Sequence, residues 1–215
     1  MTFSEQLKAD IALIEPALEK YLSRETGEGY DRIFEATKYS AMAGGKRLRP
    51  ILLMAAADAV GAKGTDYLTT ACALEMIHTY SLVHDDLPAM DNDEYRRGRK
   101  TTHIVYGEDM GILAGDALLN YAFETACRAF EEESEHALRI GKALKILADK
   151  AGIYGMIGGQ VVDVQESGKA LQAEDQCIDR GFYDGRCSSC RCRGRAGQQD
   201  GADRRKDRAG IPDPG

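Results

Sequence analysis

Thr69-Thr-Ala-Cys-Ala-Leu-Glu-Met-Ile-His-Thr-Tyr-Ser-Leu-Val-His-Asp-Asp86 runs directly into Leu87-Pro-Ala-Met-Asp-Asn-Asp-Glu-Tyr-Arg-Arg-Gly98. The first half carries no Gly or Pro and is the longest uninterrupted helical candidate in the chain. The second half sets Asp85, Asp86 and Asp91 at that helix's C-terminal end. The helix dipole is negative there and disfavours each carboxylate by up to about 1 kcal/mol, so something positive belongs beside them. Clustered oxygen donors without Cys or His among them suit Mg²⁺, which uses one or two protein carboxylates and completes its shell with water and phosphate. Pro88 separates the acids by more than one turn, so a kink is expected if Asp91 is to face the same point as Asp85.

Arg96, Arg97, Arg99 and Lys100 follow at once. Guanidinium forks hold phosphate oxygens through paired charge-assisted hydrogen bonds. Carboxylates followed by arginines imply metal plus diphosphate. The bland alternative is a solvated charged loop at a helix end. Upstream, Gly44-Gly45-Lys46-Arg47-Leu48-Arg49-Pro50 precedes another helix, and its small residues let the backbone approach an anion. Taken alone it reads equally as an interhelix turn with solvated cations. His78 lies seven residues before Asp85, two turns away on roughly the same face; a lone helical histidine is also a common core or surface residue.

Outward from this centre the pattern stays helical from Phe3 to about Ser167, with Leu7, Ile11, Ile14, Leu18 and Leu22 at three- and four-residue spacing in the first segment. Breaks fall at Thr26-Gly-Glu-Gly29, Gly44-Gly45, Gly61-Ala-Lys-Gly64, Pro88 and Gly98. Further helices are expected over about 108–132 and 135–151. Strand signals are scarce. The reading is all-α, a helical bundle.

The 215 residues and 43% hydrophobic content suit one domain with a full core. The N-terminus has no basic start followed by an apolar run, and the longest apolar run, Ile51 to Ala57, is far too short to span a membrane, so a cytoplasmic location is expected. A formal net charge of −7 argues against a nucleic-acid partner. That average is uneven: Cys177 to Gly215 holds nine Lys plus Arg against six Asp, so 177–215 is +3 and 1–176 is −10. The last segment has two Ile and no Leu, Val or Met, and is expected to be disordered. Its Cys187-Ser-Ser-Cys190 spacing suits zinc but has no matched second pair. Cys72 and Cys127 fall inside helical patterns and read as buried free thiols.

On these residues the chain resembles the trans-polyprenyl diphosphate synthases, in particular the bacterial farnesyl diphosphate synthases. The resemblance spans roughly 1–176 and is carried by Gly44-Gly-Lys-Arg-Leu-Arg-Pro50, Asp85-Asp-Leu-Pro-Ala-Met-Asp91, Arg96-Arg97-Gly98, Leu113-Ala-Gly-Asp-Ala117 and Gly159-Gln160-Val-Val-Asp163. It implies an isoprenoid-synthase helical bundle around a central cavity, with Asp85, Asp86 and Asp91 catalytic and Asp85 and Asp91 ligating Mg²⁺. It further implies that Lys46, Arg49, His78 and Arg97 hold isopentenyl diphosphate, that Arg96 holds the allylic diphosphate, that Gln160 contacts substrate, and that the protein is a homodimer. Tyr80 and Ser81 lie one turn below the aspartates; the Tyr80 ring would floor the cavity and favour a fifteen-carbon product over a twenty-carbon one, and it reads also as a core aromatic.

Family members continue beyond the Gly-Gln-x-x-Asp region with a Lys-Thr pair and a second aspartate-rich motif, neither of which follows here. The expectation is a prenyltransferase domain over 1–176 lacking its C-terminal helices, followed by an out-of-frame tail over 177–215. Three functions compete: an active synthase, an inactive fragment exposing the unpaired half of its cavity, and a non-catalytic partner subunit of a complete synthase. Terpene cyclases, which also use an aspartate-rich motif and Mg²⁺, are disfavoured because they need no second, metal-free diphosphate pocket for Lys46, Arg49 and Arg97.

Overall fold

The computed structural model describes residues 2–23, 27, 29–132 and 134–165. The segment 177–215, with its expected disorder and its cysteines, lies outside them. The chain divides into two compact units, Met1–Leu144 and Lys145–Gly215.

In the first unit, helix α1 (Phe3–Leu22) starts from a capping box: Glu5 N donates to Thr2 Oγ1 at 3.3 Å and Thr2 N to Glu5 Oε2 at 2.8 Å. It buries Ile14, Leu18 and Leu22, the C-terminal part of the stripe read from the sequence, while Leu7 and Ile11 stay partly exposed. Helices α2 (Asp31–Ala41) and α3 (Leu48–Ala59) follow, then a 3₁₀ turn (Gly64–Tyr67) leads into α4 (Leu68–Asp85). Every residue of α4 from Ala71 to Ser81 is buried. This is why the segment lacks a one-sided apolar stripe: a helix surrounded by others has no solvent face.

Helix α4 packs against α1, α2 and α3, and most extensively against α6 (Glu108–Cys127). Gly115 makes the close α4–α6 approach possible, since a Cβ there would overlap the His84 imidazole. His84 Nε2 lies 3.0 Å from Ile112 O and 3.7 Å from Asp116 Oδ1. Leu113-Ala-Gly-Asp-Ala117 is thus the notch of α6 that receives the end of α4.

Between α4 and α6 the chain forms a short hairpin, β1 (Tyr95–Arg96) and β2 (Arg99–Lys100), antiparallel with Arg96 opposite Arg99, and then helix α5 (Thr102–Tyr106). The sequence reading missed this hairpin. Its two-residue turn is Arg97-Gly98, both at positive φ (53° and 76°), as the type I′ hairpin turn requires.

The helix expected over 108–132 is two: α6 stops at Cys127 and α7 (Ala129–Glu132) follows. Cys127, expected buried, is exposed, whereas Cys72 is fully buried. Helix α8 (Ala137–Ala151) crosses the boundary between the units, and the second unit continues with α9 (Met156–Gln165), which carries Gln160 and Asp163. Among the described residues no helix is long and apolar enough to cross a membrane.

Candidate active site

The end of α4 sets the geometry. Helix α4 does not kink, as the sequence reading required; it stops at Asp85, because Pro88 has no N–H to continue the ladder. The chain then wraps back on itself. Leu87 N donates to His84 O (3.1 Å), Met90 N to Leu87 O (2.9 Å), Asp91 N to Asp85 O (2.9 Å) and Asn92 N to Leu87 O (3.1 Å). The Leu87 and Asp91 amides satisfy carbonyls that the helix end leaves without intrahelical partners, and the loop turns at Asn92, which is left-handed (φ 55°). Asp85 and Asp91 are therefore the two ends of a loop closed by a main-chain hydrogen bond.

Asp85 and Asp86 are buried and Asp91 is exposed. The sequence reading looked to Mg²⁺ for the positive charge at this helix end; among the described side chains Arg96 supplies one. Its Nε and Nη2 each lie 2.7 Å from Asp86 Oδ1, and Asp93 Oδ2 is 3.6 Å from Nη2. Burial pushes the Asp86 carboxyl above its ordinary value, and the hydrogen bond and charge of Arg96 oppose that without cancelling it. Among the described residues no three or more His, Cys, Asp or Glu side chains converge as a complete metal cage. Mg²⁺ does not require one, and hard oxygen donors at Asp85 and Asp91 fit its habit of taking one or two carboxylates beside water and phosphate.

The hairpin brings the two basic clusters together. At its turn, an Arg97 Nη1 hydrogen donates to Gly44 O, 53 residues away in sequence. The guanidinium lies so close to Gly45 (φ 141°) that a Cβ there would collide with it. Burial lowers the pKa of Arg97; Glu75 opposes the shift, while the positive charges of Arg47, Arg96 and Arg49 reinforce it. Arg47 and Arg96 are themselves paired with carboxylates, Glu75 and Asp86.

Within Gly44–Arg49 the side chains diverge. Lys46 is exposed and Arg49 partly exposed, while Arg47 is buried. Arg47 Nη1 donates to Glu75 Oε1 (2.8 Å), Nη2 donates to Ala41 O (2.8 Å), and Glu15 Oε1 lies 3.5 Å from Nη2. The sequence could not single it out, because an irregular loop has no period that tells inward from outward.

His78 is buried on α4, one turn beyond Glu75. Tyr80 and Ser81 are buried too; the Tyr80 ring meets His84 edge to face at 5.8 Å, and Ser81 Oγ donates to His78 O at 2.9 Å. Gln160 sits on α9 of the second unit and is described with that unit.

A shallow open cleft lies between α2, α4 and the hairpin. Asp86, Arg96 and Arg97 line it, with Ser40, Thr79 and Lys100. Tyr39, for which the sequence carried no signal, anchors its floor: Tyr39 Oη donates to Lys100 O (2.8 Å) and the Arg99 guanidinium lies 4.4 Å above its ring.

The described residues thus form a helical bundle whose central helix ends in closely held aspartates, faced by an arginine hairpin docked on a glycine loop. The polyprenyl synthetase family pattern matches residues 30–180, and the chain belongs to that family. Its relatives include the farnesyl diphosphate synthase of Geobacillus stearothermophilus, 48% identical over 158 residues, covering 74% of this chain and 52% of that protein. The geranylgeranyl diphosphate synthase of Cyanophora paradoxa is 52% identical over 138 residues, covering 64% of this chain and 45% of that one. Among solved structures, the apo FPP/GFPP synthase of Zymomonas mobilis superposes with a TM-score of 0.71 at 33% identity, covering 78% of this chain and 59% of the other. The matching segment thus spans 37% to 52% of the length of the curated relatives compared.

Proposed function

We propose that the protein is a Mg²⁺-dependent prenyltransferase that condenses isopentenyl diphosphate with dimethylallyl or geranyl diphosphate to give farnesyl diphosphate. The observation that carries this reading is the docking of Arg97 on Gly44-Gly45 while its neighbour Arg96 pairs with Asp86. One short hairpin thereby serves two anion sites, one among cations and one beside carboxylates.

In this reading Lys46, Arg49, His78 and Arg97 hold the isopentenyl diphosphate, and Arg96 holds the allylic diphosphate beside Asp85 and Asp91. Mg²⁺ held by Asp85 and Asp91 would neutralise charge on the departing diphosphate. Arg96 donates hydrogen bonds to the same leaving group, and stabilising that developing charge is the main catalytic contribution. The allylic C–O bond breaks and its electrons leave with the diphosphate. The isopentenyl double bond supplies the electrons of the new C–C bond, and a proton passes to the released diphosphate. Gln160 is assigned to substrate contact, and a cytoplasmic homodimer is the assembly proposed.

The buried Tyr80 beneath the aspartates supports a fifteen-carbon product. The geranylgeranyl diphosphate synthase among the relatives favours a second reading, a twenty-carbon product. The test is to incubate the full 215-residue chain with isopentenyl and geranyl diphosphates, with and without Mg²⁺, and to resolve the products by mass spectrometry. Metal-dependent farnesyl diphosphate is the expected result. Absence of any prenyl product from a folded chain overturns the reading, and accumulation of the twenty-carbon chain replaces it with the second.

A further inference from the structure

Arg47 stands between Lys46 and Leu48 in the basic loop, yet its side chain is only 1% exposed and points away from solvent. It joins three helices at one guanidinium: Glu75 on α4, the last carbonyl of α2 at Ala41, and Glu15 on α1. Its own backbone is left-handed, φ 49°, at the N-cap of α3. A non-glycine residue holds that conformation only where surrounding contacts require it. Glu75 lies one turn before His78 on α4, so the two share a face. On its other side the same loop receives Arg97 at Gly44.

We propose that Arg47, paired with Glu75, is a positioning residue: it sets the Gly44–Arg49 loop in register against α4, so that Lys46 and Arg49 address the same diphosphate as His78 and Arg97. The identity of that ligand rests on the reading under Proposed function. The pair's hold on the loop does not, and the two are separable by experiment.

The variant is Arg47→Met together with Glu75→Leu in the full chain, since exchanging a buried ion pair for apolar groups of similar volume commonly preserves a fold. Three quantities are measured: exchange of the Ala43 and Ile51 amides, hydrogen-bonded to Ser40 O and Arg47 O on either side of the loop; isopentenyl diphosphate binding without metal; and inorganic diphosphate binding with Mg²⁺. Expected are amide exchange accelerated by about tenfold or more and metal-free affinity weakened by at least about tenfold, with the Mg²⁺-dependent affinity held within about twofold. Unchanged exchange and unchanged metal-free affinity overturn the proposal. Parallel loss of both affinities in a cooperatively folded variant also overturns it, because a pair that merely supports the bundle does not discriminate between the two sites.

If the double variant fails to melt cooperatively, Arg47→Lys decides. A lysine keeps the charge but has no planar fork with which to serve Glu75 and Ala41 together. Intermediate loosening supports the proposal and wild-type values overturn it. A wild-type chain that binds no isopentenyl diphosphate sinks the functional reading, and the exchange measurement then decides alone whether the pair holds the loop.

Discussion

Across 2.9 Å the amide of Asp91 donates to the carbonyl of Asp85, the last residue of α4. The two acids assigned to the metal are thereby related through main-chain geometry and do not depend on a side chain to hold them together.

Asp91 is exposed and Asp85 buried, so their alanine variants should separate binding from folding. Asp91→Ala should leave the thermal midpoint nearly unchanged and weaken Mg²⁺-dependent inorganic diphosphate binding by at least about tenfold, roughly 1.4 kcal/mol, in titration calorimetry. Asp85→Ala should weaken binding similarly and lower stability as well. Wild-type binding in both variants would remove the metal assignment.

Because Arg97-Gly98 is a turn that requires positive φ at both positions, Arg97→Gly should keep the hairpin and remove only the guanidinium. Stability is expected to change by less than about 0.5 kcal/mol in urea unfolding, while metal-free isopentenyl diphosphate affinity falls at least about tenfold. Gly45→Ala should do the reverse in stability, losing about 1–3 kcal/mol through strained φ and collision with Arg97.

Gly115→Ala forces a methyl group into the His84 ring and should lower unfolding free energy by about 1–3 kcal/mol. Adding His84→Ala removes the obstacle. The double variant should therefore lose markedly less than the sum of the two single variants. Strict additivity in a double-mutant cycle would show that the notch is not the source of the effect.

Burial, reinforced by the Glu75 charge and only partly offset by Arg47, pushes the Cys72 thiol from 9.0 up to about 12. The folded state therefore holds the proton after the unfolded chain has lost it. Between about pH 9 and pH 12 this group removes stability as pH rises, by about 1.4 kcal/mol per unit. Cys72→Ala should flatten that part of the stability curve. In peptide mapping after iodoacetamide treatment at pH 8, Cys127 should be alkylated in the native protein and Cys72 only after unfolding.

The helix that carries the candidate site was legible because its residues form one run without Gly or Pro. Helix α4 was bounded to within a residue at each end, whereas the order of acids followed by arginines was read as metal plus diphosphate, and the direct Asp86–Arg96 pair was not foreseen. What escaped the sequence was contact without pattern. Two-residue strands give no alternation to detect, so the hairpin that carries Arg97 to Gly44 was invisible. Gly115 was noted only as part of the Leu113-Ala-Gly-Asp-Ala117 motif, and its packing role appears once the His84 ring is seen against it. Arg47 and Lys46 are adjacent basic residues in a sequence, and only the position of Glu75 makes one a buried anchor and the other an exposed cation. The kink expected at Pro88 failed because a helix end can be capped by the following turns, which is a less strained solution than continuing the ladder without an N–H.

The burial of α4 on every side bears on how the chain assembles during synthesis. Its partners α1, α2 and α3 precede it, but α6, with Leu118, Ala122 and Thr125 in the interface layer, follows it. Until α6 is complete at Cys127, about 40 residues after Asp85, Met76 and its neighbours have an open apolar flank. At translation speeds of roughly 5–20 residues per second, that flank stays uncovered for about two to eight seconds. Such an interval is long compared with helix formation and hydrophobic collapse, so the nascent α4 forms and collapses against α1, α2 and α3 well before α6 can cover its remaining flank.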